Sequence, residues 1–453
     1  SSYSVTGVQT CALPISREGG VFDAILLDNL YKNPQGNAVL FDTVLLEKIH
    51  DQTNITLLLN TAVIGLDKHD DAIQSLRAFN SQSATMYDIH APLFCDASGD
   101  GVVGYLAGAA YRVGAESPGE FNEPLAPPAD YGQMLGHSIY YYSRDAGQPV
   151  QYTPPSFALA DITTIPRYNR FSEKTTGSHL WWIEYGGRLD TIHDTETIKW
   201  KLWSIVYGIW NHIKNSGRFP EAANLTLEWV GLIPGKRESR RFEGPAFLTQ
   251  ADIVRQTPHL DDVAFGGWSI DLHPADGVFS PLPGCAQWHP KGVYTIPYRC
   301  LYSRNIPNLF LAGRLISATH VAFASARVIG TCAHVGQAAG MAAALCIQSH
   351  LTPDQLARQP HLATLQRELL KTGQHIPGLA LCDPRDLART AAIAASSTLS
   401  IQILPADAQP VPLAADTAQL LPLTPGPVPT MTLILPVARP TALPPHLPAP
   451  ETP

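Results

Sequence analysis

Two strand–glycine–helix units, far apart in the chain, constrain the fold most. The first runs from His90 to Asp96 (HAPLFCD), a short apolar strand. It continues through Ala97-Ser98-Gly99-Asp100-Gly101 into a helix of small residues, VVGYLAGAA. The second is Asn308–Ala312 (NLFLA), followed by Gly313-Arg314 and a long small-residue helix that runs through Cys346. A strand that ends in glycine and feeds a helix is the repeating piece of an open parallel sheet, and ligands of such sheets sit at the carboxyl ends of the strands. The pattern therefore predicts that the two glycine turns lie side by side at that edge.

The first unit contains Gly99-x-Gly101-x-x-Gly104, which satisfies the dinucleotide-binding pattern literally. A full fingerprint belongs to a compact βαβ unit with an acidic residue about 20 positions later. Here the helix runs into a proline- and glycine-rich stretch between Pro118 and Pro128 instead. The second unit is more informative. Gly336 and Gly340, with Ala338, Ala339 and Ala342–Ala344, leave its helix a nearly bare face. Tight packing on a sheet also uses such residues, but strand, Gly-Arg, loop and bare helix together favour close approach of a bound cofactor.

Elsewhere the periodicities are ordinary. Val39–His50 has helical spacing, and Ile55–Phe79 reads as strands joined by a polar turn at Lys68–Asp71. A helix is expected around Ile198–Ile213, within a middle third that holds all eight tryptophans, and Leu362–Leu370 is amphipathic. The 453 residues suffice for two or three domains. With 39 acidic against 31 basic residues, a nucleic-acid binder working through a basic face is excluded. The seven cysteines are scattered singly, without metal spacing. The most apolar stretch, Val321–Ile347, is interrupted by Arg327, His334 and Gln337, so it reads as a buried helix and no membrane span is expected.

Taken together, FCDASGDGVVGYLAGAAYRVG, WWIEYGG, EWVGLIPGKRESRRFEGPAFLTQADI, GGWSIDLH, YTIPYRCLYSRNIPNLFLAGRLISATHVAFASARVIGTCAHVGQAAG and LLKTGQHIPG resemble the FAD-dependent oxidoreductases of the glutathione-reductase-like class. The nearest likeness is to a broad bacterial group, and it covers about Gly20 to Arg389. The resemblance implies an α/β fold: a two-segment, Rossmann-like FAD-binding domain with an inserted α+β substrate domain. It implies FAD as cofactor and a cofactor set of Asp96, Ser98, Gly99, Asp100 and Gly101 near the adenosine half, with Gly313 and Arg314 beside the pyrophosphate. Arg314 stands where this class often has Asp, which suggests phosphate contact. The helix beginning near Arg327–Gly330 and continuing past Gly336 is expected to aim its N-terminus at the flavin. The first strand and phosphate-binding fingerprint of the family belong upstream of Gly20 and are not found there, so the chain is expected to be N-terminally truncated and to hold FAD weakly.

The implied organisation is an extraneous leader at 1–16 (SSYSVTGVQTCALPIS), FAD-binding segments at 17–130 and 301–350, and a substrate domain at 131–300. A helical extension at 351–395 precedes a β-type module and a proline-rich, disordered tail at 396–453. On the substrate side, His273 and His320 are candidates to move a proton, and Arg237 and Arg299 to orient a small-molecule substrate. Lys236–Arg241 (KRESRR) reads either as a solvated turn or as a grip on an anionic substrate or the cofactor. A sugar or sugar acid is the favoured substrate, and the electron acceptor is not legible. Two other readings stay open: a carbohydrate-binding or carbohydrate-cleaving protein with at most a structural flavin, and an inactive fragment.

Overall fold

The computed structural model describes residues 18–128, 134–174, 180–386, 417–419 and 434–436. The leader at 1–16, the residues around 390 and most of the C-terminal tail lie outside the described residues. The chain divides into two units, Ser1–Cys382 and Asp383–Pro453. In the second, Thr417–Gln419 and Ile434–Pro436 pair as antiparallel strands.

The first unit opens with helices Gly20–Lys32 and Ala38–His50. The second begins where it does because the Asn37 side chain accepts from Val39 N at 2.8 Å and Leu40 N at 3.4 Å, capping free helix donors. An antiparallel meander follows, Thr61–His69, Ala72–Asn80 and Thr85–His90. This corrects the strand expected from His90 to Asp96. His90 instead closes the meander opposite Ser75, and only Phe94–Asp96 forms the next strand. Pro92, which has no N–H to give to a ladder, lies between the two.

Phe94–Asp96 pairs in parallel with Leu309–Leu311, in the register Phe94↔Leu309, Cys95↔Phe310 and Asp96↔Leu311. Two distant segments thus build one sheet. Ile73 of the meander, Val103 and Ala107 of the short helix, and Leu309, Leu311 and Leu315 share its core. A separate core surrounds helix Thr195–Asn215, whose Ile198, Leu202, Ile205, Ile209 and Ile213 recur at the three-to-four spacing that puts them on one face. The largest core joins strands Asp262–Gly266 and Tyr294–Pro297 to the late helices.

The long helix expected through Cys346 is two helices, His320–Ala326 and Ile329–Ser349. The first is capped by the Thr319 hydroxyl, which accepts from Ala322 N at 3.2 Å. It ends at Arg327, and Val328 is extended, so a second helix N-terminus is created beside Arg327. Helix Ile329–Ser349 is the one described helix that is long and apolar enough to cross a membrane. His334, Val335, Ala338, Ala339 and Ala342 bury one of its faces in the largest core.

Candidate active site

The early glycine turn is closed by its own side chains. Asp96 is 1 % exposed and points inward. Its Oδ1 accepts from Ser98 N (3.0 Å) and Ser98 Oγ (2.7 Å), and its Oδ2 from Gly104 N (2.8 Å). Ser98 Oγ in turn accepts from Gly101 N (3.0 Å) and Val102 N (3.1 Å). These N–H groups, which a phosphate would use, are already satisfied. The glycines have steric causes too. A Cβ on Gly101 would lie 2.6 Å from the Phe242 ring, and one on Gly104 would lie 2.3 Å from it. The ring of Phe242, fully buried, fills the space.

The late turn differs. Gly313 is left-handed (φ +66°), and no atom lies within 4 Å of where its Cβ would be. The same is true of Gly336 in the following helix. Arg314 reaches back to the early turn, donating to Ser239 Oγ at 2.9 Å and pairing with Asp100 Oδ1 at 3.2 Å. Its guanidinium also occupies the place of a Cβ on Gly99, 2.9 Å from Nη2. Burial pushes the Asp100 carboxyl up, but Lys236 and Arg314 more than offset this and hold it below the usual range. The two turns therefore touch, as the parallel register requires. At the start of helix Ile329–Ser349 the carboxylate of Glu18 stands against Gly330, 2.8 Å from a Cβ position there.

Lys236–Arg241 is a buried strap, which corrects the solvated-turn reading: Glu238 is 0 % and Arg241 1 % exposed. Its residues reach to two sides. Toward the early turn, Lys236 pairs with Asp100, Ser239 Oγ donates to Gly99 O at 2.6 Å, and Arg240 donates to Asp100 O at 2.9 Å. Away from it, Glu238 accepts from His320 Nδ1 (2.8 Å) and Leu135 N (2.9 Å). Arg241 donates to Glu116 (2.8 Å) and Ala318 O (2.6 Å). Burial raises the Glu238 carboxyl, and His320 and Arg241 outweigh it and lower it.

Arg237 belongs to a denser group. It pairs with Glu184, donates to Trp181 O at 2.8 Å, and lies 3.3 Å from His273 Nδ1. His273 is held from both ring nitrogens, Nδ1 on Glu184 Oε1 and Nε2 on Asp271 Oδ2, each at 2.9 Å. Arg327 completes the set, 3.1 Å from Asp271 Oδ2 and 3.3 Å from His273 Nε2. For Glu184 and Asp271 burial acts upward on the carboxyl. It is outweighed at Glu184 by Arg237 and His273 and at Asp271 by His273 and Arg327, so both stay ionised well below the usual range. Sequence reasoning missed both carboxylates. Asp271 was signalled by its place two residues before His273 on strand Ile270–Leu272, since alternate strand residues share a face. Glu184 carried no such signal.

Thus His273, Arg237 and Arg327 come together, whereas His320 sits on the strap's Glu238. Arg299 is apart, clamped on Asp261 through Nε and Nη2 at 3.0 Å each. Among the described residues no group of three or more His, Cys, Asp and Glu is placed to hold a metal ion.

No curated protein and no solved structure matches the chain. A comparison with protein families matches residues 16–369, most of the chain, to the family described as FAD dependent oxidoreductase. That span contains both strands of the parallel pair, both glycine turns, the buried strap and the His273 group, and the chain belongs to the FAD-dependent oxidoreductase family.

Proposed function

We propose that the protein transfers a hydride between FAD and a small organic substrate, a sugar or sugar acid, held against the Arg237–His273–Arg327 group. The observation that carries this reading is the position of that group: Arg327 directly precedes the N-terminus of helix Ile329–Ser349, so the buried charges and a flavin-facing helix end are neighbours. The late turn fits the cofactor. Gly313 and Gly336 leave open space where side chains would stand, whereas the Glu18 carboxylate now fills the place beside Gly330 and would have to move aside for a ligand there. Gly313, Arg314, Arg327, Gly330 and Gly336 would hold FAD, with Asp96–Gly101 as the rigid support on which Arg314 rests. Bound there, FAD supplies two-electron hydride chemistry.

The chain's own residues supply the rest. Each ring nitrogen of His273 faces a carboxylate oxygen at 2.9 Å and an arginine N–H donor at 3.3 Å, so the ring is held in place whichever nitrogen carries a proton. Arg237 and Arg327 balance Glu184 and Asp271, so the guanidinium N–H donors orient a substrate oxygen or stabilise negative charge as it develops. In this reading residues 131–300 form the substrate domain between two FAD-binding segments, 17–130 and 301–350, followed by the extension at 351–395. Its separate core around helix Thr195–Asn215 supports the division. A carbohydrate-binding role for the middle third is favoured by one observation, the exposure of Trp200 (52 %) and Trp229 (45 %).

The test is His273→Ala, followed by stopped-flow absorbance of the flavin. Flavin reduction is expected to slow by roughly 10²-fold at unchanged flavin content. An unchanged rate removes His273 from the reaction. Polysaccharide binding by cofactor-free protein would favour the carbohydrate-binding role instead.

A further inference from the structure

Arg167 is the buried arginine that the group around His273 leaves unexplained. Arg237, Arg241 and Arg327 each sit on a carboxylate, Glu184, Glu116 and Asp271 respectively. Arg167 is only 9 % exposed, yet it pairs with no carboxylate among the described residues. Its Nε is buried and has no hydrogen-bond partner, and its one bond is a long one, Nη2 to Gly277 O at 3.4 Å. The guanidinium lies over the Trp182 ring, 4.7 Å from the centroid. Trp182 in turn stacks on Phe171 with centroids 5.3 Å apart. A charge taken out of water without a counter-ion is an expensive arrangement, and a buried guanidinium edge without acceptors is suited to receive one.

The surroundings join this arginine to the reactive group. Trp181, the next residue along from Trp182, sets its indole edge-on to His273 at 5.5 Å and gives its carbonyl to Arg237. Gly284 packs closely into the corner between the two indoles and Arg167. A Cβ there would stand 2.9 Å from Trp182 Cβ, 3.0 Å from Arg167 Nη1 and 3.4 Å from Trp181 Cη2. The neighbouring Cys285 thiol is pushed up to about 12 by burial and by the nearby Asp271 carboxylate. Burial, reinforced by Arg170 and only partly offset by the field of Glu184, pulls the Arg167 guanidinium below its ordinary value, so a bound anion would relieve it.

We infer that Arg167, walled by Trp181 and Trp182, is the subsite for the carboxylate of an acidic sugar whose reacting carbon faces His273. This rests on the hydride-transfer reading above and narrows its substrate class. One guanidinium matches one planar, singly charged carboxylate in a two-toothed pairing, where a phosphate dianion would call for more positive charge. The half-buried Trp181 indole, which no other ring stacks upon among the described residues, suits the C–H face of a sugar ring.

Isothermal titration calorimetry of the full chain with D-glucuronate, D-gluconate, D-glucose and inorganic phosphate tests the assignment. At least one acid is expected to bind roughly tenfold or more tighter than glucose. Arg167→Met should erase that preference and Arg167→Lys, which keeps the charge but not the fork, should retain part of it. Circular dichroism checks that both variants are folded, and the preference of the unaltered chain is informative without them. Failure of both acids to outbind glucose, tighter binding of phosphate than of either acid, or a preference that survives in folded Arg167→Met overturns the proposal. The titration needs no turnover. Loss of the preference in a protein that still holds and reduces flavin would leave the oxidoreductase reading standing. A colourless protein that keeps the preference would fail that reading and not this one.

Discussion

The two glycine turns start from the same local design and end differently. In the early turn, Asp96 and Ser98 consume the N–H groups of Gly101, Val102 and Gly104, and the Phe242 ring occupies the room that Gly101 and Gly104 leave. In the late turn, Gly313 is left-handed with nothing near its Cβ position, and Gly336 in the helix beyond is equally open. The meaning of a glycine therefore depends on what stands where its side chain would be. A ring from the same fold there makes the glycine a packing residue, while open space beside a helix N-terminus makes it part of a binding surface. By this measure the turn with the better sequence motif is the structural one.

The comparison breaks most sharply at Gly104. Gly104→Val forces atoms into the Phe242 ring and should cost about 3 kcal/mol of stability in urea unfolding. Adding Phe242→Ala should return part of that loss, because the ring is the obstacle. No rescue would mean that the glycine serves something other than this packing.

A smaller effect comes from two histidines, one beside each unit. His137 lies near Lys236, Asp100 and the Thr191 backbone, close to the early turn. His334 is in the helix after the late turn. Burial pushes both down to about 4, helped by Lys236 at His137 and by His375 at His334. An unfolded histidine protonates near pH 6.5, so as pH falls from there the unfolded chain takes up protons that the folded chain refuses. Stability is then full above pH ~6.5 and falls toward pH ~4, by about 2 kcal/mol for each histidine. Denaturation midpoints measured across that window should flatten in His137→Gln and in His334→Gln. An unaltered pH slope in either variant would show that its histidine is not the titrating group.

The smallest stability change is expected at Gly313. Gly313→Ala meets no atom and should cost only the left-handed backbone penalty, about 1–2 kcal/mol. Its flavin content, read from visible absorbance after removal of free FAD, should fall by more than that stability loss explains. A loss of stability larger than that of Gly104→Val would erase the distinction between the turns.

Much of this was legible one segment at a time. The helix at Ala38–His50 follows from the Asn37 cap and apolar spacing, and the two sheet strands from short apolar runs ended by glycine. The pairing of Phe94–Asp96 with Leu309–Leu311 was legible as well, because strand–glycine–helix units belong to parallel sheets. The strand boundary at His90 was not, since a proline two residues later outweighed the apolar run. Nor was the break at Arg327, because small residues continue through it with no change in composition.

What the sequence determined by itself is therefore the class of fold, the family and the sheet edge that both glycine turns share, since periodicity and turn residues act over a few positions. Which glycines are open, which arginines are paired and which carboxylates hold His273 were decided only by the tertiary structure. Phe242 reaches Gly104, Glu184 reaches His273, and Arg167 is left without a paired carboxylate among the described residues, through contacts between segments that local pattern does not link. Steric exclusion and charge pairing act through space, and a chain's order of residues records neither until it has folded.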